Sequence, residues 1–69
     1  MPISMAPVGE NLTIRRIAGN ERIRKHLQNL GFIEGEPVVV VSKINENVII
    51  KLKGISLAVT CDLAKKIYV

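Results

Sequence analysis

The stretch from Arg24 to Val41, RKHLQNLGFIEGEPVVVV, decides how this chain folds: a basic run stops at one glycine, turns at a second, and becomes four consecutive valines. Ile23, Leu27 and Leu30 recur at i, i+4 and i+7 and predict one apolar helical stripe, with Arg22, Arg24, Lys25, Gln28 and Asn29 on other faces. Gly31 suits the left-handed position just past a helix. Phe32 after it is placed to close over Leu27, the contact of a Schellman stop. Upstream, Asn20 is a favourable N-cap and Glu21 complements the positive end of the helix dipole.

Downstream of the helix, Gly35 falls at the third position of a tight turn, where a positive φ is easy only for glycine. Pro37 opens the next strand where a missing N–H is tolerable. The valine run lacks alternation, so both of its faces are expected to be covered, as in a small closed barrel. Working outward, KINEN is a polar hairpin tip, VIIKLK a returning strand, Gly54 a second turn and ISLAV a further strand. Thr60 caps a helical turn through CDLAK, and IYV ends the chain as a short strand.

Before the helix, Leu12 and Ile14 alternate with Thr13 and Arg15 as a half-buried strand does. Ile17 breaks that period, which predicts a bulge or strong twist near Arg16. The expectation is a mainly β, SH3-like barrel of about five short strands, with one inserted α-helix and a short helical turn before the last strand. All of it forms one domain over residues 1–69, with residues 1–8 a loosely held lead-in.

The totals agree with such a fold. A chain of 69 residues hides only roughly 60% of its unfolded surface on folding, which leaves little room for an internal cavity. Ten Lys and Arg against six Asp and Glu give a formal charge of +4, which favours anionic partners. The lone cysteine, Cys61, excludes an internal disulfide. MPISMAPVG has neither the cationic nor the apolar region of a signal peptide, and no stretch approaches the ~20 apolar residues of a membrane span. A cytoplasmic protein is expected.

Catalytic chemistry is poorly supplied. One His and one Cys, His26 and Cys61, lie far apart and in no nucleophile signature. A zinc site takes three or four ligands, more than a single His provides, so neither a metal site nor a cofactor is expected. GNERIRK does not match a phosphate-binding loop. Neither an enzyme nor a nucleotide hydrolase is expected. Nucleic-acid binding fits the charge, but with Phe32 committed to the helix stop and Tyr68 near the carboxyl end, no stacking platform interleaves with the basic residues.

The run IRKHLQNLGFIEGEPVVVV resembles the ferrous iron transport protein A family, FeoA, through Leu27, Leu30, Gly31, Phe32, Gly35 and Val38. GENLTIRRIAGN looks like that family's opening strand and ISLAVTCDLAKKIYV like its closing segment, so the likeness runs from about Val8 to Val69. Glu34 stands where the family often has proline, and SKINEN is shorter than the family's usual loop. The resemblance implies an SH3-like domain and an accessory role in ferrous iron uptake beside FeoB, a membrane transporter with a cytoplasmic GTP-binding domain. Transition metal ion binding also belongs to that family's description.

The same barrel occurs in metal-dependent repressors as an interaction module. Those also need a DNA-reading domain for which this sequence has no room, so a free-standing accessory protein is expected, recruited to the inner membrane face by its partner. Arg22, Lys25, His26 and Asn29 recur at i, i+3, i+4 and i+7 and form the expected partner-binding stripe, which Arg15 and Arg16 would extend. A homo-oligomer built through an exposed strand edge is a further expectation. The alternatives are a small nucleic-acid-binding barrel and a metal-sensing regulatory domain.

Overall fold

The chain turns its apolar alternation into a four-stranded antiparallel sheet and a two-stranded ribbon, as seen in a computed structural model that describes residues 1–69. The elements in chain order are a 3-10 turn at Ile3–Met5, β1 (Asn11–Thr13), β2 (Arg16–Ile17), α1 (Glu21–Asn29), β3 (Pro37–Ile44), β4 (Asn47–Leu52), β5 (Ile55–Thr60), α2 (Cys61–Ala64) and β6 (Ile67–Tyr68). The sheet order is β1-β3-β4-β5, and β2 pairs with β6. The mainly β, SH3-like expectation holds, with six strands instead of five and a barrel that is left open.

The sixth strand arises where a bulge was expected. Leu12 pairs opposite Val38 in the large sheet, whereas Arg16 lies opposite Tyr68 in the ribbon. Between them the Ile14 N–H donates to the Glu36 carbonyl at 3.0 Å, and the next amide, Arg15, donates to the Tyr68 carbonyl at 2.7 Å. One continuous segment thus changes sheets, which lets Ile14 and Ile17 both be buried despite a spacing of three. A simple strand would have put one of them in water.

The two-residue Asn45–Glu46 and Lys53–Gly54 turns close the β3–β4 and β4–β5 hairpins on Ile44↔Asn47 and Leu52↔Ile55. Val38, Val40, Val48, Ile50, Leu52 and Val59 face inward and meet Leu27, Phe32, Ala64 and Ile67 in one core cluster. The valine run is not covered on both faces as expected. Val38 and Val40 are buried, Val39 is half-buried, and Val41 is 43% exposed. A register shift between Val40 and Ser42 pushes Val41 out of the ladder.

The amino-terminal segment is also a correction. Residues 1–8 are not a loose lead-in: Ile3 and Ala6 are fully buried, Pro2 bridges to Tyr68, and the Val69 N–H donates to the Met1 carbonyl at 2.9 Å. In a 3-10 turn, positions i and i+3 share a face, which is how Ile3 and Ala6 enter the core together.

Candidate partner interface

α1 is held by local bonds at both ends. The Asn20 side-chain oxygen accepts from the Ile23 N–H at 2.9 Å. At the other end the Gly31 N–H donates to the Gln28 carbonyl at 2.9 Å and the Phe32 N–H to the Leu27 carbonyl at 3.0 Å. Those two bonds constitute a Schellman motif, with Gly31 at φ +106° and both Leu27 and Phe32 fully buried. The expected apolar stripe is shorter than its spacing implies. Ile23 is half-buried and Leu27 buried, but Leu30 is 39% exposed because it caps the helix and lies past its last full turn.

With that apolar side fixed inward, Arg22, Lys25, His26 and Asn29 are all exposed on the helix surface. Lys25 Nζ lies 3.4 Å from Glu21 Oε1 across one turn, an exposed pair that holds the lysine only weakly. His26, in the last turn, is next to the negative end of the helix dipole. Arg22, Arg24 and Lys25 against Glu21 leave the helix with two more basic than acidic side chains. The stripe can therefore present cationic and hydrogen-bonding groups to an acidic surface.

Two residues outside the stripe add to this side of the molecule. Arg24 and Gln28, together with Ile17, Glu21, Lys25 and Glu34, line a shallow groove of about 220 Å³ beside the helix. Glu34 belongs to the turn at Gly35, so the groove's far wall is set by tertiary folding, and helical periodicity alone carries no sign of it. Arg15 and Arg16 line a different hollow, with Met1, Tyr68 and Val69, and none of the helix residues lines it. The Arg16 guanidinium sits 4.4 Å from the centroid of the Tyr68 ring, a cation–π contact that occupies one face of the aromatic.

His26 is on α1 and Cys61 on α2, and no three His, Cys, Asp or Glu side chains come together closely enough to hold a metal ion. A third hollow, about 540 Å³, is lined by Glu46, Asn47, Thr60, Cys61, Asp62 and Lys65, so two carboxylates gather around α2 and away from the residues of α1. No helix is long and apolar enough to cross a membrane.

A family model for the FeoA domain matches residues 1–69. Comparison with curated proteins finds no match. Among solved structures, the chain is similar to one described as the iron uptake regulatory protein FeoA, at 24% identity and a TM-score of 0.88, covering 97% of this chain and 91% of that one. It is also similar to FeoA of Stenotrophomonas maltophilia, described as an SH3 domain protein complexed with zinc, at 24% identity and a TM-score of 0.85, covering 99% and 87% of the two chains. A manganese-dependent transcriptional repressor shares 12% identity at a TM-score of 0.90, covering 100% of this chain and 40% of that one. Identities this low establish a shared fold.

Proposed function

This chain belongs to the FeoA domain family, and from that premise we propose that it is a small accessory protein of ferrous iron uptake, acting at the cytoplasmic face of a FeoB-type GTPase transporter. The observation that carries the reading is the match of the domain to the whole chain. A role as ferrous iron transport activating factor has been suggested for the Stenotrophomonas maltophilia relative, which has the same fold.

In this proposal α1 is the contact surface. Arg22, Lys25, His26 and Asn29 dock on an acidic patch of the transporter's cytoplasmic domain, while Asn20 and the Gly31–Phe32 stop keep the helix rigid so that little order has to be gained on binding. Regulation follows if the contact is stronger in one conformational state of the GTPase than in another, because a ligand shifts an equilibrium only by its differential affinity. The protein contributes no catalytic group of its own and works through protein contacts.

The test is a pull-down of the transporter's cytoplasmic domain with and without nucleotide, run in parallel with the Arg22→Glu/Lys25→Glu double variant. Nucleotide-dependent capture by the wild type, weakened at least tenfold in the variant, is expected. Equal capture by both proteins, with the fold intact, would place the contact elsewhere.

A further inference from the structure

β5 closes nothing on its outer side. The order β1-β3-β4-β5 leaves it at a sheet edge. The preceding turn has both central residues at positive φ, 52° at Lys53 and 78° at Gly54, which is the I′ geometry of a two-residue hairpin. In such a hairpin the closing pair Leu52↔Ile55 exchanges both of its main-chain bonds, and alternation along the unbroken register gives the same to Ile50↔Leu57 and Val48↔Val59. The N–H and C=O of Ser56 and Ala58 therefore point away from β4. No turn, loop or cap bond reaches Ile55–Val59.

Edges of this kind are ordinarily blunted by lysine, proline, a bulge or a covering element. β5 has none of the first three: it reads ISLAVT, and its pairing with β4 shows no bulge. Its side chains invite contact as well, since Ile55 is 62% exposed, Ser56 and Ala58 are exposed and Leu57 is half-buried.

We propose that β5 pairs antiparallel with β5 of a second copy of this chain, extending the sheet across both molecules. Charge selects this occupant and this direction. The strand is uncharged in a chain of formal charge +4, so a like-charged copy is repelled less here than at the basic helix. Lys53 precedes the strand, its Nζ 3.6 Å from Glu36 Oε1 in a solvent-screened pair that holds the lysine only weakly, and Asp62 follows the strand. Antiparallel pairing brings each Lys53 end alongside the Asp62 end of the other copy, whereas parallel pairing would set like charges together. Outward-bonding residues must oppose one another, and in the register centred on the strand Ser56 of one copy faces Ala58 of the second copy and the reverse, with the two Leu57 side chains meeting at the two-fold axis.

A single strand pair buries less than the ~1,200 Å² at which stable complexes begin, so a dissociation constant of about 0.1 mM is expected. Sedimentation velocity and amide exchange on the full chain, from about 10 µM to about 1 mM, read it directly. The wild type should dimerise with concentration as the Ser56 and Ala58 amides gain protection. Ala58→Pro deletes only an N–H that has no bond in the monomer, and Ala58→Lys adds a charge without touching the backbone. Each should weaken dimerisation at least tenfold, and the lysine variant decides the matter if the proline variant misfolds. A wild type that is monomeric throughout, or variants that dimerise as it does, would overturn the proposal. So would protection of Ser56 and Ala58 that requires the transporter's cytoplasmic domain, which would assign the edge to a foreign strand. The concentration-dependent outcomes, read on the chain alone, do not depend on the iron-uptake reading.

Discussion

Gly31 and Gly35 both adopt positive φ, +106° and +90°, yet they are not equivalent. A Cβ on Gly31 would sit 2.9 Å from Leu52 Cδ2, whereas one on Gly35 would meet nothing within 4 Å. Leu52 is itself buried at 3% exposure, so it has little room to retreat. Gly35→Ala should therefore cost about 1 kcal/mol from the backbone alone, and Gly31→Ala about 2 kcal/mol or more, since displacing Leu52 is added to the same strain. Urea midpoints of the two variants make the comparison, and equal losses would mean that the Leu52 contact is unimportant. Asn20→Ala, which removes a single capping bond, should fall near 1 kcal/mol by the same measurement.

At the scale of elements, the amino-terminal 3-10 turn makes the sharpest prediction. Ile3 is fully buried while its neighbour Met5 is 71% exposed. Ile3→Ala should then destabilise by about 2–4 kcal/mol, and Met5→Ala should change stability by less than about 0.5 kcal/mol. A thermal unfolding scan of both would settle whether the segment is a working part of the core; equal midpoints would return it to a loose lead-in. The sequence disguises this element because two prolines and a glycine crowd its nine residues, and only the i, i+3 spacing of Ile3 and Ala6 betrays a shared face. By contrast, the Asn20 cap, the Gly31–Phe32 stop and the Thr60 cap were legible because each bond spans a few residues. Non-local facts were hidden. Four adjacent valines erase the alternation that would have shown Val41 facing outward, and a segment that changes sheets at Ile14–Arg15 looks locally like a bulge. For the proposed interface, sequence spacing supplied the helix stripe, but not the groove wall at Glu34 or the placement of Arg16 on Tyr68.

At the scale of the whole molecule, the question is whether the proposed docking depends on net charge or on where the charge sits. The formal +4 acts on any acidic partner at long range, and salt screens it, with a Debye length falling from about 10 Å at 0.1 M to about 3 Å at 1 M. If α1 is the contact, binding to the transporter's cytoplasmic domain should weaken about tenfold between low and high salt, through slower association. Salt alone, however, cannot separate the two possibilities. Arg22→Glu/Lys25→Glu and Lys43→Glu/Lys51→Glu each remove the same net charge, the first pair from α1 and the second from β3 and β4, and all four side chains are exposed. Reversing Lys25 also sets it against Glu21 one turn away, at a cost to the helix of only about 0.2–0.5 kcal/mol. A helix-specific contact predicts at least a tenfold loss for the first pair and less than about threefold for the second, or a gap of at least about 0.7 kcal/mol in binding free energy. Equal losses would reduce the protein to a diffuse cation and remove α1 from its function.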